Sequence, residues 1–114
     1  MVESYSIAEL LDTFVAERAT RMLIKSGAQP TIELPSDTGT TLGVLDIAPP
    51  TADKVLDLLR VIASPEQIRE LELCGRLRFR YVHADSGLGA SIQVSVRVSA
   101  HIDHDIFKLE LQNL

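Results

Sequence analysis

Hydrophobic and polar residues exchange places along this chain at two different periods, and the changes of period mark out its elements. From Ile7 the apolar residues Ile7, Leu10, Leu11, Phe14 and Val15 recur at helical spacing, leaving Glu9, Asp12, Glu17 and Arg18 on the other side. Ser6-Ile7-Ala8-Glu9 is a capping box, with Tyr5 and Leu10 at hydrophobic-staple spacing around it. The change of period places the end of this helix near Ala19. From Thr20 the period is two: Met22 and Ile24 alternate with Arg21, Leu23 and Lys25. Gly27-Ala28-Gln29-Pro30 turns the chain into a strand over Thr31 to Leu34. A loop at Pro35 to Gly39 leads to a third strand, Leu42 to Ile47.

Pro49-Pro50 stops that strand and Thr51 caps a second helix, with Asp53 in its first turn and Val55, Leu58, Leu59 and Ile62 on its apolar stripe. Ser64-Pro65-Glu66-Gln67 starts a third, with serine at the cap, proline at N1 and glutamine at N3. Ile68, Leu71 and Cys74 face inward on this reading, and Gly75 ends the helix. Alternation then resumes and reads as a β-meander over Arg76 to Leu114. Leu77, Phe79 and Tyr81 alternate with Arg76, Arg78 and Arg80, and Ile92, Val94, Val96 and Val98 with Ser91, Gln93, Ser95 and Arg97. In the strand Ile106 to Gln112, Phe107, Leu109 and Leu111 oppose Lys108 and Glu110. Asp85 to Gly89 has the small residues of a tight hairpin. The whole is an α+β domain of order α-βββ-αα-βββ, an antiparallel sheet with helices on one face.

At 114 residues the chain fits one domain, residues 1 to 114, burying roughly two thirds of its unfolded surface. The single Cys74 excludes an intrachain disulfide, and no stretch approaches the ~20 apolar residues of a membrane span. No signal-peptide pattern opens the chain, which makes a cytoplasmic domain the default. The net charge of -5 argues against non-specific nucleic-acid binding. That net value conceals a separation. Arg21, Lys25, Arg76, Arg78, Arg80, Arg97 and Lys108 fall on strand positions facing away from the apolar set, opposed mainly by Glu33 and Glu110, while the helices carry most of the acidic residues. One sheet face is therefore basic, either as a solubilising surface or as a docking site for an acidic or phosphate-bearing partner.

Chemistry-bearing motifs are sparse. His101-Ile102-Asp103-His104-Asp105, read as a connection between the last two strands, holds potential metal ligands in His101, Asp103, His104 and Asp105, though a polar hairpin connection is the stronger reading. Cys74 reads as a packed thiol. No G-x-S-x-G elbow and no phosphate-binding loop occur, and no cofactor is implied. The chain does not read as an enzyme.

Several segments resemble the N-terminal domain of PilT-like type IV pilus twitching-motility and secretion ATPases. Ala19-Thr20-Arg21-Met22-Leu23-Ile24 stands where that family has A-S-D-L-H-L, and Gly27-Ala28-Gln29-Pro30 where it has G-x-x-P. Val55 to Ile62, Pro65-Glu66-Gln67 and Leu71-Glu72 match its helix pair, and Arg97-Val98-Ser99-Ala100 stands at R-V-N-A. The family's D-x-H is replaced by Arg21 and Leu23, its R-x-R is reduced to Arg97 with Ser95 at the first position, and the catalytic domain is lacking. The resemblance implies a PAS-like fold and a non-catalytic interaction or regulatory domain, an adaptor in pilus, secretion or surface-motility systems. Its implied partner is a secretion or pilus ATPase or another acidic protein surface, with Arg97 able to contact nucleotide only in trans. A PAS-like sensor of a small ligand or cyclic nucleotide is the alternative, and a metal-dependent enzyme using the histidine cluster a weaker third. Exposed strands, Ile106 to Gln112 among them, would allow a homodimer by edge pairing or sheet-face packing. The Met1 start, the first cap and the strand-like end suggest a complete domain, although an excised one would look the same.

Overall fold

The structure, a computed structural model, describes residues 4–85 and 92–113. The order is α1 (Ile7–Ala16), β1 (Arg21–Lys25), β2 (Thr31–Ser36), β3 (Gly39–Val44), α2 (Ala52–Ile62), α3 (Pro65–Cys74), β4 (Arg76–Asp85), β5 (Ile92–Asp103) and β6 (Ile106–Asn113). This is the α-βββ-αα-βββ order that the periodicity predicts. The strands form one sheet in the order β3-β2-β1-β6-β5-β4, and every neighbouring pair is antiparallel. The hairpin expected at Asp85 to Gly89 falls, beyond Asp85, outside the described residues.

Local signals explain the helices. Ser6 Oγ accepts the Glu9 N–H at 3.2 Å, so only the forward half of the expected capping box forms among the described residues. At Ser64 both halves form, at 3.2 Å from the Gln67 N–H and 2.8 Å back to Gln67 Oε1. The first helix stops at Ala16, three residues before the expected end. Arg18 takes a left-handed conformation (φ 54°), its N–H bonds Val15 O, and the Ala19 N–H bonds Phe14 O at 3.0 Å. These are the two bonds of a Schellman motif, with arginine where glycine is usual and buried Ala19 as its apolar anchor. Gly75 ends α3 in the same left-handed region (φ 76°), and its carbonyl accepts the Ile102 N–H at 2.8 Å.

The helices cover one face of the sheet. Ile7, Leu10, Leu11 and Phe14 from α1, Val55, Leu58 and Leu59 from α2, and Ile68 and Leu71 from α3 are buried against Met22, Ile24, Val96, Val98, Leu109 and Leu111. At about 25 cal/mol per Å² of apolar surface removed from water, a fully buried leucine or phenylalanine contributes roughly 1.5–3 kcal/mol.

Three expectations are corrected. Cys74 is exposed, not packed. Ile68 and Leu71 set the buried stripe of α3, and at about 100° per residue Cys74 falls some 120° from Ile68 around the helix. The third strand is Gly39–Val44 in place of Leu42 to Ile47. Pro35 and Ser36 stay in β2, where they pair with Thr40 and Gly39, while Leu45 and Ile47 leave the ladder. The Leu45 N–H still bonds Pro30 O, its in-register neighbour, at 2.9 Å, but proline has no N–H to return the bond and the pairing ends there; Gln29 Nε2 reaches Ile47 O at 3.3 Å. Finally, β6 is no edge. It lies between β1 and β5, pairing from Lys25↔Lys108 to Arg21↔Gln112 on one side and from Asp103↔Ile106 to Val96↔Asn113 on the other. Its backbone is satisfied on both flanks, so edge pairing by Ile106 to Gln112 is excluded; the edges are β3 and β4.

Candidate partner-binding face

Residues directly opposite in antiparallel strands point to the same side, so the register fixes the composition of the uncovered face. One row across it runs Arg80, Arg97, Gln112, Arg21, Glu33, Leu42. The next runs Arg78, Ser99, Glu110, Leu23, Thr31, Val44, and a third Arg76, His101, Lys108, Lys25. All seven basic residues picked out by alternation lie on this face.

They are not equivalent. Arg21 Nε stands 3.5 Å from Glu33 Oε2 and 3.3 Å from Glu110 Oε1, so the two acidic residues expected to temper the face converge on one arginine. Exposed pairs of this kind contribute at most about 1 kcal/mol to stability, but they offset the charge of Arg21. No carboxylate among the described residues pairs with Arg76, Arg78, Arg80 or Arg97. Arg80 lies directly opposite Arg97, a like-charge cross-strand pair that costs stability. Arg78, Arg80 and Arg97 border a shallow depression of about 250 Å³ with Phe79. The face therefore grades from a basic margin on β4 and β5, through a centre of mixed charge where Arg21, Lys25 and Lys108 stand with Glu33 and Glu110, to an apolar margin on β3, where Leu42 is 67% and Val44 62% exposed.

The histidine segment is arranged differently from the expected loop. His101 and Asp103 belong to β5, and only His104 and Asp105 form the turn into β6. His104 has φ 53° and its Nε2 lies 3.8 Å from Asp103 Oδ1, while His101 stands between Arg76 and Lys108 in register. Among the described residues no three His, Cys, Asp or Glu side chains converge as metal ligands.

Two buried polar arrangements escape a reading by charge and period. His83, on the core-facing row of β4, is 8% exposed, and its Nε2 meets Asp12 Oδ1 of α1 at 2.7 Å, tying the first helix to the edge strand. The available signal was parity, since His83 occupies the same row as Leu77, Phe79 and Tyr81. Tyr5 is buried before the first cap. Lys54 of α2 bonds its carbonyl at 2.9 Å and sits 4.8 Å from its ring centroid, while the Tyr5 hydroxyl has no hydrogen-bond partner among the described residues. Burial pushes the Tyr5 phenol pKa up.

No family model and no curated protein matches the chain. Solved structures do match in fold. The crystal structure of the pilus retraction motor PilT with bound ADP superposes with a TM-score of 0.74 at 18% identity, over 97% of this chain and 29% of that one. The ATPase DotB of Legionella pneumophila superposes at 0.74 with 16% identity, over 96% of this chain and 30% of that chain. DotB of Yersinia pseudotuberculosis superposes at 0.74 with 15% identity, over 100% and 33%. The chain thus spans about a third or less of the length of these relatives and has the fold of their N-terminal domain, which bears out the resemblance carried by Gly27 to Pro30 and Arg97 to Ala100. No helix among the described residues is long and apolar enough to cross a membrane.

Proposed function

We propose that the chain acts as a non-catalytic protein-interaction domain in the cytoplasm, docking an acidic surface of a pilus- or secretion-type ATPase on its basic sheet margin. The observation that carries the reading is the cluster Arg76, Arg78, Arg80 and Arg97, lacking carboxylate partners among the described residues and containing a like-charge cross-strand pair. Such an arrangement lowers the stability of the isolated domain and is relieved when an anionic partner arrives. Lys108 and Lys25, directly opposite one another, extend it toward the centre. Arg97 lies on the open face, where nucleotide held by another subunit would reach it.

A sensing role has no comparable support. The space between helices and sheet, where a small ligand would have to sit, is filled by Phe14, Leu59, Met22, Leu109 and Leu111, each at most 1% exposed. The test is light scattering of the domain mixed with a PilT-type ATPase from the same cell, over a salt series. A complex that weakens with salt and is lost in Arg76→Glu/Arg78→Glu is the expected result. A salt-indifferent complex, or no complex with the wild-type domain, refutes the reading.

A further inference from the structure

The basic margin coincides with an open sheet edge, and the two features use the same three residues. Gly75 and Ile102 form a hydrogen-bonded pair through the 2.8 Å bond from the Ile102 N–H to Gly75 O. Along an antiparallel ladder such pairs alternate with pairs whose N–H and C=O turn away from each other. With Arg76 opposite His101, Leu77 opposite Ala100 and so on to Val82 opposite Ser95, the β4 residues turned toward β5 are Leu77, Phe79 and Tyr81. Arg76, Arg78 and Arg80 turn their backbone groups outward, and among the described residues β4 has no neighbouring strand on that side. Each of these residues thus offers at the edge an N–H and C=O without a backbone partner among the described residues, and a guanidinium on the uncovered face.

We propose that β4 accepts an added antiparallel strand from a different protein, an extended segment with carboxylates at every second position. Residues of such a strand that exchange both backbone bonds with Arg76, Arg78 and Arg80 place their side chains on the same face as those arginines, at about 5.5 Å between Cα atoms. Carboxylates at alternate positions then meet one guanidinium each, in charge-assisted bonds. Backbone pairing supplies affinity and the alternation supplies selectivity.

Charge decides against a second copy of this chain. Two β4 strands paired antiparallel would set arginines against arginines, and the other edge, Gly39–Val44, carries no carboxylate to offer. The arginine row therefore closes this edge to self-association while leaving it open to an acidic strand.

This inference rests on the basic margin being a partner surface, and the experiment separates the two. Three short peptides of glutamate and valine are titrated against the full chain by fluorescence anisotropy: one strictly alternating, one of the same composition with its glutamates grouped, and one alternating but N-methylated at the glutamates. The alternating peptide is expected to bind, grouping or N-methylation to weaken it about tenfold or more, and amide exchange at Arg76, Arg78 and Arg80 to slow in its complex. Equal binding of all three, abolished by Arg76→Glu/Arg78→Glu, overturns strand addition and leaves the basic face as the site. Binding of none, or binding indifferent to Arg76→Glu/Arg78→Glu, overturns both readings. Dimerisation of the free chain that the arginine reversals abolish also overturns the proposal, because it would fill the edge with a second copy.

Discussion

The Tyr5 hydroxyl is the clearest point at which this domain gives up stability, and Tyr5→Phe removes it while changing little else. The ring stays in the core beside Ile7 and Leu10, and the Lys54 ammonium keeps both its bond to the residue 5 carbonyl and its position over the ring, 4.8 Å from the centroid in the wild type. The lost oxygen is buried and without a hydrogen-bond partner among the described residues. An unsatisfied buried hydroxyl costs about 1–3 kcal/mol of desolvation, and deleting it leaves a void smaller than a methylene, worth less than about 1 kcal/mol. The net expectation is a gain of about 1 kcal/mol at neutral pH, read from the urea midpoint at unchanged m-value. A second readout is alkaline. Burial raises the Tyr5 phenol pKa above 10.0, so between its unfolded and folded values the unfolded chain holds fewer protons than the native one. Stability from this group is then intact below pH 10 and falls as pH climbs through the folded value, by at most about 1.4 kcal/mol per pH unit. Tyr5→Phe should flatten that part of the alkaline decline. A variant less stable than wild type at pH 7 with an unchanged alkaline slope would show that the hydroxyl is hydrogen-bonded in solution and refute the reasoning.

Arg18→Gly should stabilise the domain by about 0.5–1 kcal/mol, since the left-handed conformation costs a side-chain-bearing residue about 1–2 kcal/mol and glycine's extra unfolded entropy returns part of it; a lower thermal midpoint would refute this. Asp12→Ala leaves the His83 imidazole buried without its 2.7 Å partner and should cost about 1–3 kcal/mol in urea denaturation, while Asp12→Asn should recover part of that.

The elements were legible because their signals are local. Ser64, Pro65 and Gln67 define a helix start within four residues, and the alternation of Arg76 to Tyr81 fixes both a strand and its two faces. What failed depends on partners distant in sequence. The end of β3 turns on Pro30, which stands in register with Leu45 and accepts its N–H but has none to give back, so the ladder stops at Val44. Nothing near Arg18 announces a left-handed residue, because arginine has no preference for one. The position of β6 is a property of the sheet order, and no pattern within Ile106 to Gln112 distinguishes a central strand from an edge. The basic face itself was readable from parity, whereas the division between neutralised Arg21 and the four arginines without carboxylate partners among the described residues required the register of three strand pairs.

The pairing of β1 with β6 joins the first half of the sheet to the last across nearly the whole length of the chain. The β2–β3 and β5–β6 hairpins close short loops and can form early, but this seam closes one of the longest loops the sequence allows, and its entropy must be lost before Met22 and Leu111 gain anything from meeting. Loop-closure entropy thus predicts that the two halves of the sheet form before they dock. Of the two ion pairs of Arg21, the one to Glu33 lies within the first half and the one to Glu110 crosses the line where the halves meet, so only the Glu110 pair reports their assembly.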